Sequence, residues 1–332
     1  MLSIIIVNYK TPQLLANCLQ TIYDNTHIDF EVIVVDNASG DNSRALITAG
    51  FPQVRWIQLS YNAGFARANN EGIRQANGQA VLLLNSDTLV EDQAIEKCYQ
   101  LFMVSEYVAC GVQLLNADRT PQISGNYFMK GGLNYLLPLP YVGSLVKWMG
   151  NLVKVKKPHI PEATGVAEVD WINGAYLMVK MAAIEKAGLM DEDFFLYSEE
   201  AEWCSRLKKT GRLCIYGQLH VVHLQGETAN ETFGSSGKGY VNLYDRKGLQ
   251  IMLSNFVRIR KQFGVGWFLF QLVCYTLTVP VFFIAGFFGH LFRLHNPFQD
   301  FPRAVRFARN VGELWRYLRI IISNKPYFYK VL

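Results

Sequence analysis

Ile4-Ile5-Ile6-Val7-Asn8, Val32-Ile33-Val34-Val35-Asp36 and Val81-Leu82-Leu83-Leu84-Asn85-Ser86-Asp87 share one pattern, an unbroken aliphatic run that stops at a polar or acidic residue. Runs that are continuous rather than alternating read as central strands of a parallel sheet covered on both faces. Ligands of such sheets bind beyond the carboxyl ends of the strands. Asn8, Asp36 and Asp87 all fall at that edge.

Outward from these strands the chain alternates. Strand Leu2–Val7 leads through Asn8-Tyr9-Lys10 into a helix with Thr11 as N-cap and Pro12 at its first position, and Leu14, Leu15, Cys18, Leu19 and Ile22 form the apolar stripe. The Val32–Val35 strand passes through the turn-rich 36–42 into a helix near Ser43–Ala49. Val54–Leu59 reads as a strand, and Asn62–Asn70 opens a helix ending at Gly78. After Asn85-Ser86-Asp87 come a helix over about Glu91–Val104 and a strand near Val108–Leu114, so the βα alternation implies right-handed crossovers. From Pro121 to Pro161 the periodicity fails, which reads as an insertion that lines an acceptor groove, touches a membrane or is a plain surface excursion. Glu168–Trp171, Ala175–Val179, a helix Ala182–Ala187 closed by Gly188, and a helix from Glu199 to Gly211 follow; two short strands, Leu213–Tyr216 and Leu219–Val222, then deliver His223.

With half of its 332 residues apolar, the chain can bury a sizeable core and is not disordered. The net charge of +5 comes without a Lys/Arg block or interleaved aromatics, which argues against a nucleic-acid groove. Cys18, Cys98, Cys110, Cys204, Cys214 and Cys274 lack paired or metal-ligand spacing and read as reduced packing residues in a cytosolic setting. The amino terminus shows no signal-peptide pattern, so the catalytic part is expected inside the cell.

Asp36 has two readings: a carboxylate that accepts the imide N–H of uracil or thymine, with Asn8-Tyr9 beside the base, or a turn-forming Asp bonded to its own backbone. Asn85-Ser86-Asp87 suits a hard cation on a diphosphate, which needs only one or two protein carboxylates. His223 supplies a further ligand that favours Mn²⁺ over Mg²⁺, or is a structural histidine. In Glu199-Glu200-Ala201-Glu202, helical geometry groups Glu200 with Trp203, Cys204 and Leu207 on an inward face and turns Glu202 outward to meet Arg206. Glu200 is then the base and burial raises its pKa; the alternative is that all three Glu complement the helix dipole.

These residues together resemble the inverting glycosyltransferases of family 2, particularly the bacterial rhamnosyltransferase-like branch. The resemblance spans about Ser3 to Gly226. It rests on Ile4–Tyr9, Val34-Val-Asp-Asn-Ala-Ser39, Asn62-Ala-Gly-Phe-Ala66, Leu83-Leu-Asn-Ser-Asp-Thr88, Gly174-Ala175 with Asp191–Glu200, and Val222-His223-Leu-Gln-Gly226. It implies an α/β GT-A fold, a nucleoside-diphosphate sugar donor (dTDP-rhamnose or a UDP-hexose), a divalent cation, Mn²⁺ or Mg²⁺, and single displacement with inversion. By the same resemblance Asn8, Tyr9, Asp36 and Asn37 hold the base, Arg67 and Asn69 approach the ribose-phosphate, and Asn85, Ser86 and Asp87 line the diphosphate. Asp87 and His223 hold the metal, Trp171, Asn173, Gly174 and Glu202 flank sugar and acceptor, and Glu200 or Glu199 is the base. Asn85 stands where the family's metal motif often has Asp, and Glu200 where its base is commonly Asp.

Beyond the resemblance, Gln262 to Phe292 lacks Asp, Glu, Lys and Arg, long enough to cross ~30 Å of hydrocarbon if helical throughout. Pro280 interrupts it, and basic residues flank both ends: Arg246, Lys247, Arg258, Arg260 and Lys261 before, Arg293, Arg303, Arg306, Arg309, Arg316 and Arg319 after. Two half-helices, about Trp267–Val279 and Val281–Leu291, dipping into the cytoplasmic leaflet and returning, satisfy the positive-inside tendency. A soluble helix pair or oligomer interface is the other reading. Arg303–Ile322 is expected to be amphipathic, with Val305, Ala308, Val311/Gly312, Trp315 and Leu318 on its apolar side. The expected domains are 1–235 (a nucleotide half 1–115, the insertion 121–161, an acceptor half 165–235) and a membrane-associating 236–332.

The resulting expectation is a glycosyltransferase at the cytoplasmic face of the plasma membrane, acting on a saccharide or polyprenyl-diphosphate-linked acceptor in cell wall or O-antigen synthesis. A sugar nucleotidyltransferase would show a glycine- and basic-rich loop after the first strand, where Asn8-Tyr9-Lys10-Thr11-Pro12 stands. A degenerate carbohydrate-binding scaffold would lack Asp87 or every base candidate, and a dinucleotide redox protein would show G-x-G-x-x-G.

Overall fold

A computed structural model describes residues 1–152, 160, 162–224, 233–235 and 242–331. The chain divides into two compact units: Met1–Tyr127 with His159–Phe195 and Glu199–Thr228, and Phe128–Pro158 with Leu196–Ser198 and Ala229–Leu332. The segment read as an insertion in the first domain is thus divided, and Phe128–Pro158 of it belongs to the second unit.

In the first unit the strands are β1 (Leu2–Asn8), β2 (Phe30–Asp36), β3 (Arg55–Gln58), β4 (Ala80–Asn85), β5 (Thr88–Val90), β6 (Ala109–Leu115), β7 (Gly125–Asn126), β8 (Val166–Val169), β9 (Trp171–Ile172), β10 (Tyr176–Lys180) and β11 (Leu213–His223). The main sheet runs β3-β2-β1-β4-β10-β6-β11-β5, with β8 also on β11. β1, β2, β3 and β4 pair in parallel; β10 is antiparallel to both β4 and β6, so β6 and its parallel partner β11 share the direction of β1. The register sets Asn8 opposite Asp36, Val7 opposite Asn85 and Asp36 opposite Gln58, which gathers four strand ends at one edge. Ile4, Ile6, Val32, Val34, Leu82 and Leu84 are fully buried on one face and Ile5, Ile33 and Leu83 on the other, the two-sided covering that the unbroken runs require. The expected pair of strands before His223 is one strand whose register shifts between Tyr216 and His220. All six cysteines are free thiols, five of them buried, with Cys98 and Cys110 Sγ 3.6 Å apart.

Helices α1 (Pro12–Asn25), α2 (Ser43–Gly50), α3 (Gly64–Arg74), α4 (Ala94–Val104), α6 (Met181–Ala187) and α7 (Glu199–Leu207) belong to the same unit, α5 (Val142–Leu152) to the second. Thr11 stands at the N-cap of α1, although its hydroxyl turns to Asn8 Oδ1 (3.0 Å) and Ser86 Oγ (3.1 Å) instead of capping the helix. Gly64 opens α3 at φ +77°, and a Cβ there would lie 2.2 Å from the carbonyl oxygen of Phe195. Only glycine meets both demands, and the approach lets Phe65 N–H bond Phe195 O at 2.9 Å.

The second unit is helical: α8 (Arg246–Phe263), α9 (Val265–Phe292) and α10 (Phe301–Ser323), with α5 and a 3₁₀ segment Lys130–Leu136. The expected helix-break-helix is one continuous helix through Pro280. Its buried stripe, Phe268, Gln271, Leu272, Tyr275, Thr278, Phe282 and Gly286, continues on both sides of the proline, so packing on the protein holds the helix where local propensity would interrupt it. Gln271 Nε2 donates to the carbonyls of Gly131 (3.0 Å) and Gly132 (2.8 Å), and Tyr275 OH to Tyr135 O (2.9 Å). Of the basic residues before α9, Lys247 and Arg258 are buried, Arg258 lying 4.7 Å from the Phe128 ring centroid, while Arg246 is exposed and Arg260 and Lys261 are partly buried. In α10 the buried face is Ala304, Phe307, Val311, Leu314 and Ile321, while the expected Val305 and Trp315 are exposed. The stripe is rotated because the polar Asn310 is drawn inward, bonding Leu243 O at 2.9 Å and Asp245 O at 3.0 Å.

Gly64→Ala is expected to destabilise the protein by at least about 1–3 kcal/mol, since the new methyl must displace the Phe195 carbonyl and adopt a left-handed backbone. Urea unfolding of the full chain checks this; an unchanged midpoint would deny the close approach of α3 to Phe195.

Candidate active site

At the carboxyl edge of the sheet, Asp36 is 2% exposed and accepts four hydrogen bonds: from Asn8 Nδ2 (2.7 Å) and Ser39 Oγ (2.6 Å) at Oδ1, and from Ser39 N (3.0 Å) and Gln58 Nε2 (2.6 Å) at Oδ2. The Ser39 bonds are the turn-forming reading of Asp36, and its place opposite Asn8 is where the base-binding reading needs it. Asn37 ties the next loop down, accepting from Ala63 N (2.7 Å) and donating to Asn62 Oδ1 (3.0 Å). Tyr9 lies half-buried beside them with the Lys10 ammonium 5.4 Å from its ring centroid.

At the far end of the sheet order from β3, β5 pairs with β11 so that His223 faces Thr88, and Leu224 N–H bonds Asp87 O at 2.9 Å. This brings His223 Nε2 to 3.3 Å from Asp87 Oδ1 and 3.3 Å from Asn85 Nδ2. Gln122, which nothing in the sequence marked, orients the ring. Its Nε2 donates to His223 O (2.6 Å) and Asn116 Oδ1 (2.8 Å), so its Oε1 is the atom 3.0 Å from His223 Nδ1 and makes that nitrogen the donor. In the neutral ring Nε2 then carries the lone pair, accepting from Asn85 Nδ2 and lying beside the Asp87 carboxylate. A carboxylate and an imidazole lone pair converging this way fit a divalent cation, the histidine oriented from behind as metal-ligating histidines usually are. Among the described residues there is no group of three His, Cys, Asp or Glu for a metal, so these two would leave the other positions to a diphosphate and water.

α7 begins at Glu199, as expected, but its burial falls differently. Glu199 and Glu202 are 3% and 6% exposed, while Glu200 is only half-buried. The reason is that α7 packs on several sides, against α3, α6 and β9, so no single stripe describes it. Glu202 is not turned outward. Both its oxygens are taken by Arg206, at 2.8 Å from Nε to Oε1 and 2.8 Å from Nη2 to Oε2, the i,i+4 partner expected of it. Glu200 opens beside Gly174, where an added Cβ would lie 3.6 Å from Glu200 Cβ and Cγ and 3.5 Å from Phe65 Cε1. Gly174 in turn adjoins Ala175, whose carbonyl accepts from Asn85 N at 3.1 Å, so Glu200 stands on the same side as the Asp87–His223 pair. At Glu199 burial, and secondarily the charge of Glu200, pushes the carboxyl well above its usual range. Glu199 Oε2 has no hydrogen-bond partner.

Comparison with known proteins agrees with this geometry. The profile described as "Glycosyl transferase family 2" matches residues 3–153. A hexosyltransferase of low-salt glycan biosynthesis, Agl10 of Haloferax volcanii, is 28% identical over 252 residues, 74% of this chain and 74% of its own. The glycosyltransferase GlyG of Streptococcus pneumoniae is 33% identical over 103 residues, 30% of this chain and 34% of its own. Over residues 3–153 this chain matches the glycosyltransferases of family 2. Its fold is that of the GT-A transferases: the mannosyltransferase PcManGT of Pyrobaculum calidifontis, solved with GDP-Man and Mn²⁺, superposes with a TM-score of 0.54 at 13% identity, covering 95% of this chain and 87% of its own.

The remaining expected residues are distributed unevenly. Arg67 Nε donates to Glu192 O (2.9 Å), and the buried Asn69 donates from Nδ2 to Phe65 O (2.9 Å) within its own helix. Asn70, not singled out from the sequence, bonds Met190 O (2.9 Å) and Glu192 Oε1 (3.0 Å), holding the loop that precedes α7. Ser86 meets Thr11, and Asn173 Oδ1 accepts from Ala175 N (2.9 Å) to shape the turn at Gly174. Trp171 is half-buried, paired with Asn126 in the β7–β9 ribbon. Gln225 and Gly226 of the last motif lie outside the described residues.

Because Glu199 binds its proton more tightly folded than unfolded, the folded state carries more protons as pH rises above the ordinary carboxyl range, and stability falls with pH. Glu199→Gln is expected to remove this loss, melting above the wild type between about pH 6 and about pH 9 and converging with it near about pH 4. Thermal melts across that range check it; parallel curves would show that Glu199 does not hold the proton.

Proposed function

We propose that the protein is an inverting, metal-assisted hexosyltransferase that moves a sugar from a UDP-hexose or dTDP-rhamnose to a saccharide or polyprenyl-diphosphate-linked acceptor in cell-surface polysaccharide synthesis. The observation that carries this reading is the Asp87–His223 pair, a cation-binding arrangement on the same side of the sheet edge as the Glu200 carboxylate. A hexosyltransferase and several polysaccharide synthases among the relatives, including chondroitin synthase of Pasteurella multocida, support the transfer of hexoses into glycans.

On this reading Asp36, with Asn8 and Tyr9, receives the base, and Asp87 and His223 hold the divalent cation. The cation offsets the charge that the departing diphosphate accumulates. Glu200 takes the proton of the acceptor hydroxyl as that oxygen attacks the anomeric carbon and the bond to the diphosphate oxygen breaks on the opposite face, which inverts the configuration. Glu199, kept neutral by burial, does not compete for that proton. Trp171, Asn173 and Gly174 flank the sugar.

The second unit supports attachment to the cytoplasmic leaflet of the plasma membrane. α9 is 28 residues long, and Phe270, Val273, Leu277, Val281, Ile284 and Phe288 form an exposed stripe opposite its packed face. A helix buried on one side by its own protein and apolar on the other suits a position in the interface plane, with the exposed Arg303, Arg306, Arg309, Arg316 and Arg319 of α10 meeting anionic headgroups.

Glu200→Gln is expected to lower turnover by about 10²–10⁴-fold while UDP or dTDP still binds with Mn²⁺; turnover within tenfold of wild type would remove Glu200 from the base position. Asp87→Ala is expected to abolish the Mn²⁺-dependent part of nucleotide stabilisation in a thermal-shift assay. In vesicle sedimentation, Leu277→Asp with Phe288→Asp is expected to move the protein from the pellet of phosphatidylglycerol-containing liposomes to the supernatant. Continued pelleting would place the membrane contact elsewhere.

A further inference from the structure

The four donors on Asp36 are of two kinds. Three come from buried framework: the Asn8 side chain, 0% exposed, and the hydroxyl and backbone N–H of Ser39, 6% exposed. They close the turn after β2 and cannot leave without unmaking it. The fourth is the carboxamide of Gln58, an exposed side chain at the end of the edge strand β3. Its Nε2 donates to Asp36 Oδ2 (2.6 Å) and to Leu59 O (3.3 Å), and its Oε1 accepts from Trp56 Nε1 (3.1 Å). The amide is thus held as an N–H and an adjacent C=O between a carboxylate and an indole N–H.

That is the hydrogen-bonding edge of a pyrimidine imide, N3–H beside C4=O. We propose that Gln58 is an internal stand-in for the nucleobase, latched across the base subsite and displaced when uracil or thymine binds, and that the single acceptor position it vacates selects for an imide. The inference rests on the reading of Asp36 as the base-recognition residue. Once Gln58 swings out, Oδ2 offers one position and Trp56 Nε1 one donor, matching one N–H flanked by a carbonyl. Guanine presents two adjacent donors, N1–H and the N2 amino group, and the second would meet an oxygen already occupied by Ser39 or Asn8. Cytosine has no ring N–H at that edge. The exchange trades one amide hydrogen bond for another, so the latch opens at low cost, but every binding event is opposed by the closed population.

The test is calorimetric titration of the full-length protein and of Gln58→Ala with UDP, dTDP, GDP and CDP in the presence of Mn²⁺. Gln58 is exposed, and matched thermal melts of the two unliganded proteins verify that the substitution leaves the fold intact. A contact residue loses affinity when truncated; a latch gains it. UDP and dTDP are expected to bind Gln58→Ala roughly 2- to 10-fold tighter than wild type, from release of one hydrogen bond, with GDP and CDP weaker than both in either protein. Binding of UDP and dTDP to the wild type that Gln58→Ala leaves unchanged or weakens overturns the latch alone, and GDP binding as tight as UDP overturns the single-acceptor selection. Absence of binding by any nucleotide to both proteins overturns the base-site reading and the latch with it.

Discussion

The register of three buried parallel strands is the constraint on which the rest depends. With Asn8 level with Asp36 and Val7 level with Asn85, the aliphatic runs end together, and every polar side chain at that edge has to find its partners among the others. Asn8, Ser39 and Gln58 converge on Asp36 for this reason, and Thr11 bonds both Asn8 and Ser86. A one-residue slip of β2 would carry Asp36 to the other face and leave Asn8 buried without an acceptor, at a cost of about 1–3 kcal/mol for that group alone. The edge is therefore both the most polar part of the first unit and one of its best-determined parts.

The carboxylates of α7 show how one helix divides three like residues among different tasks. Glu202 is neutralised by a bidentate arginine, Glu199 is driven to its neutral form by burial, and Glu200 is left at the mouth beside a glycine. Environment rather than side-chain chemistry assigns the roles. The two neighbours are also linked electrostatically, because the charge of Glu200 is one of the causes that raise the pKa of Glu199.

In the second unit, an apolar helix carries a polar seam. Gln271, Tyr275 and Thr278 are buried, with Gln271 and Tyr275 bonded to carbonyls of the 3₁₀ segment, and the left-handed Gly131 permits Trp267 to lie against the chain there. The helix thus carries a polar seam on its packed side and an apolar stripe on its exposed side. Hydropathy averaged over its length records only the second of these faces.

Much of the catalytic fold was legible because its signals are local. Unbroken runs of Ile, Val and Leu, their polar stops, and the spacing of Pro12 and Gly64 are properties of neighbouring residues, and helices and strands form where those patterns place them, within a few residues. Motif order likewise singled out Asp36, Asp87, His223 and Glu200 as candidates, and folding brings Asp87 and His223 together. What sequence could not decide was which partners meet across long separations: Gln122 orienting His223 from 101 positions away, Asn70 holding the loop before α7, Gln58 reaching Asp36 through a strand register. Nor could it decide which glutamate is buried, or that packing would carry a helix through Pro280, since both depend on what surrounds a helix on every side. The sequence by itself determined the strands, their polar ends and the chemical class of the site, because these follow from local periodicity and composition. Only the tertiary structure decided the pairing, protonation and exposure of each side chain, because these are set by neighbours that the chain brings together only on folding.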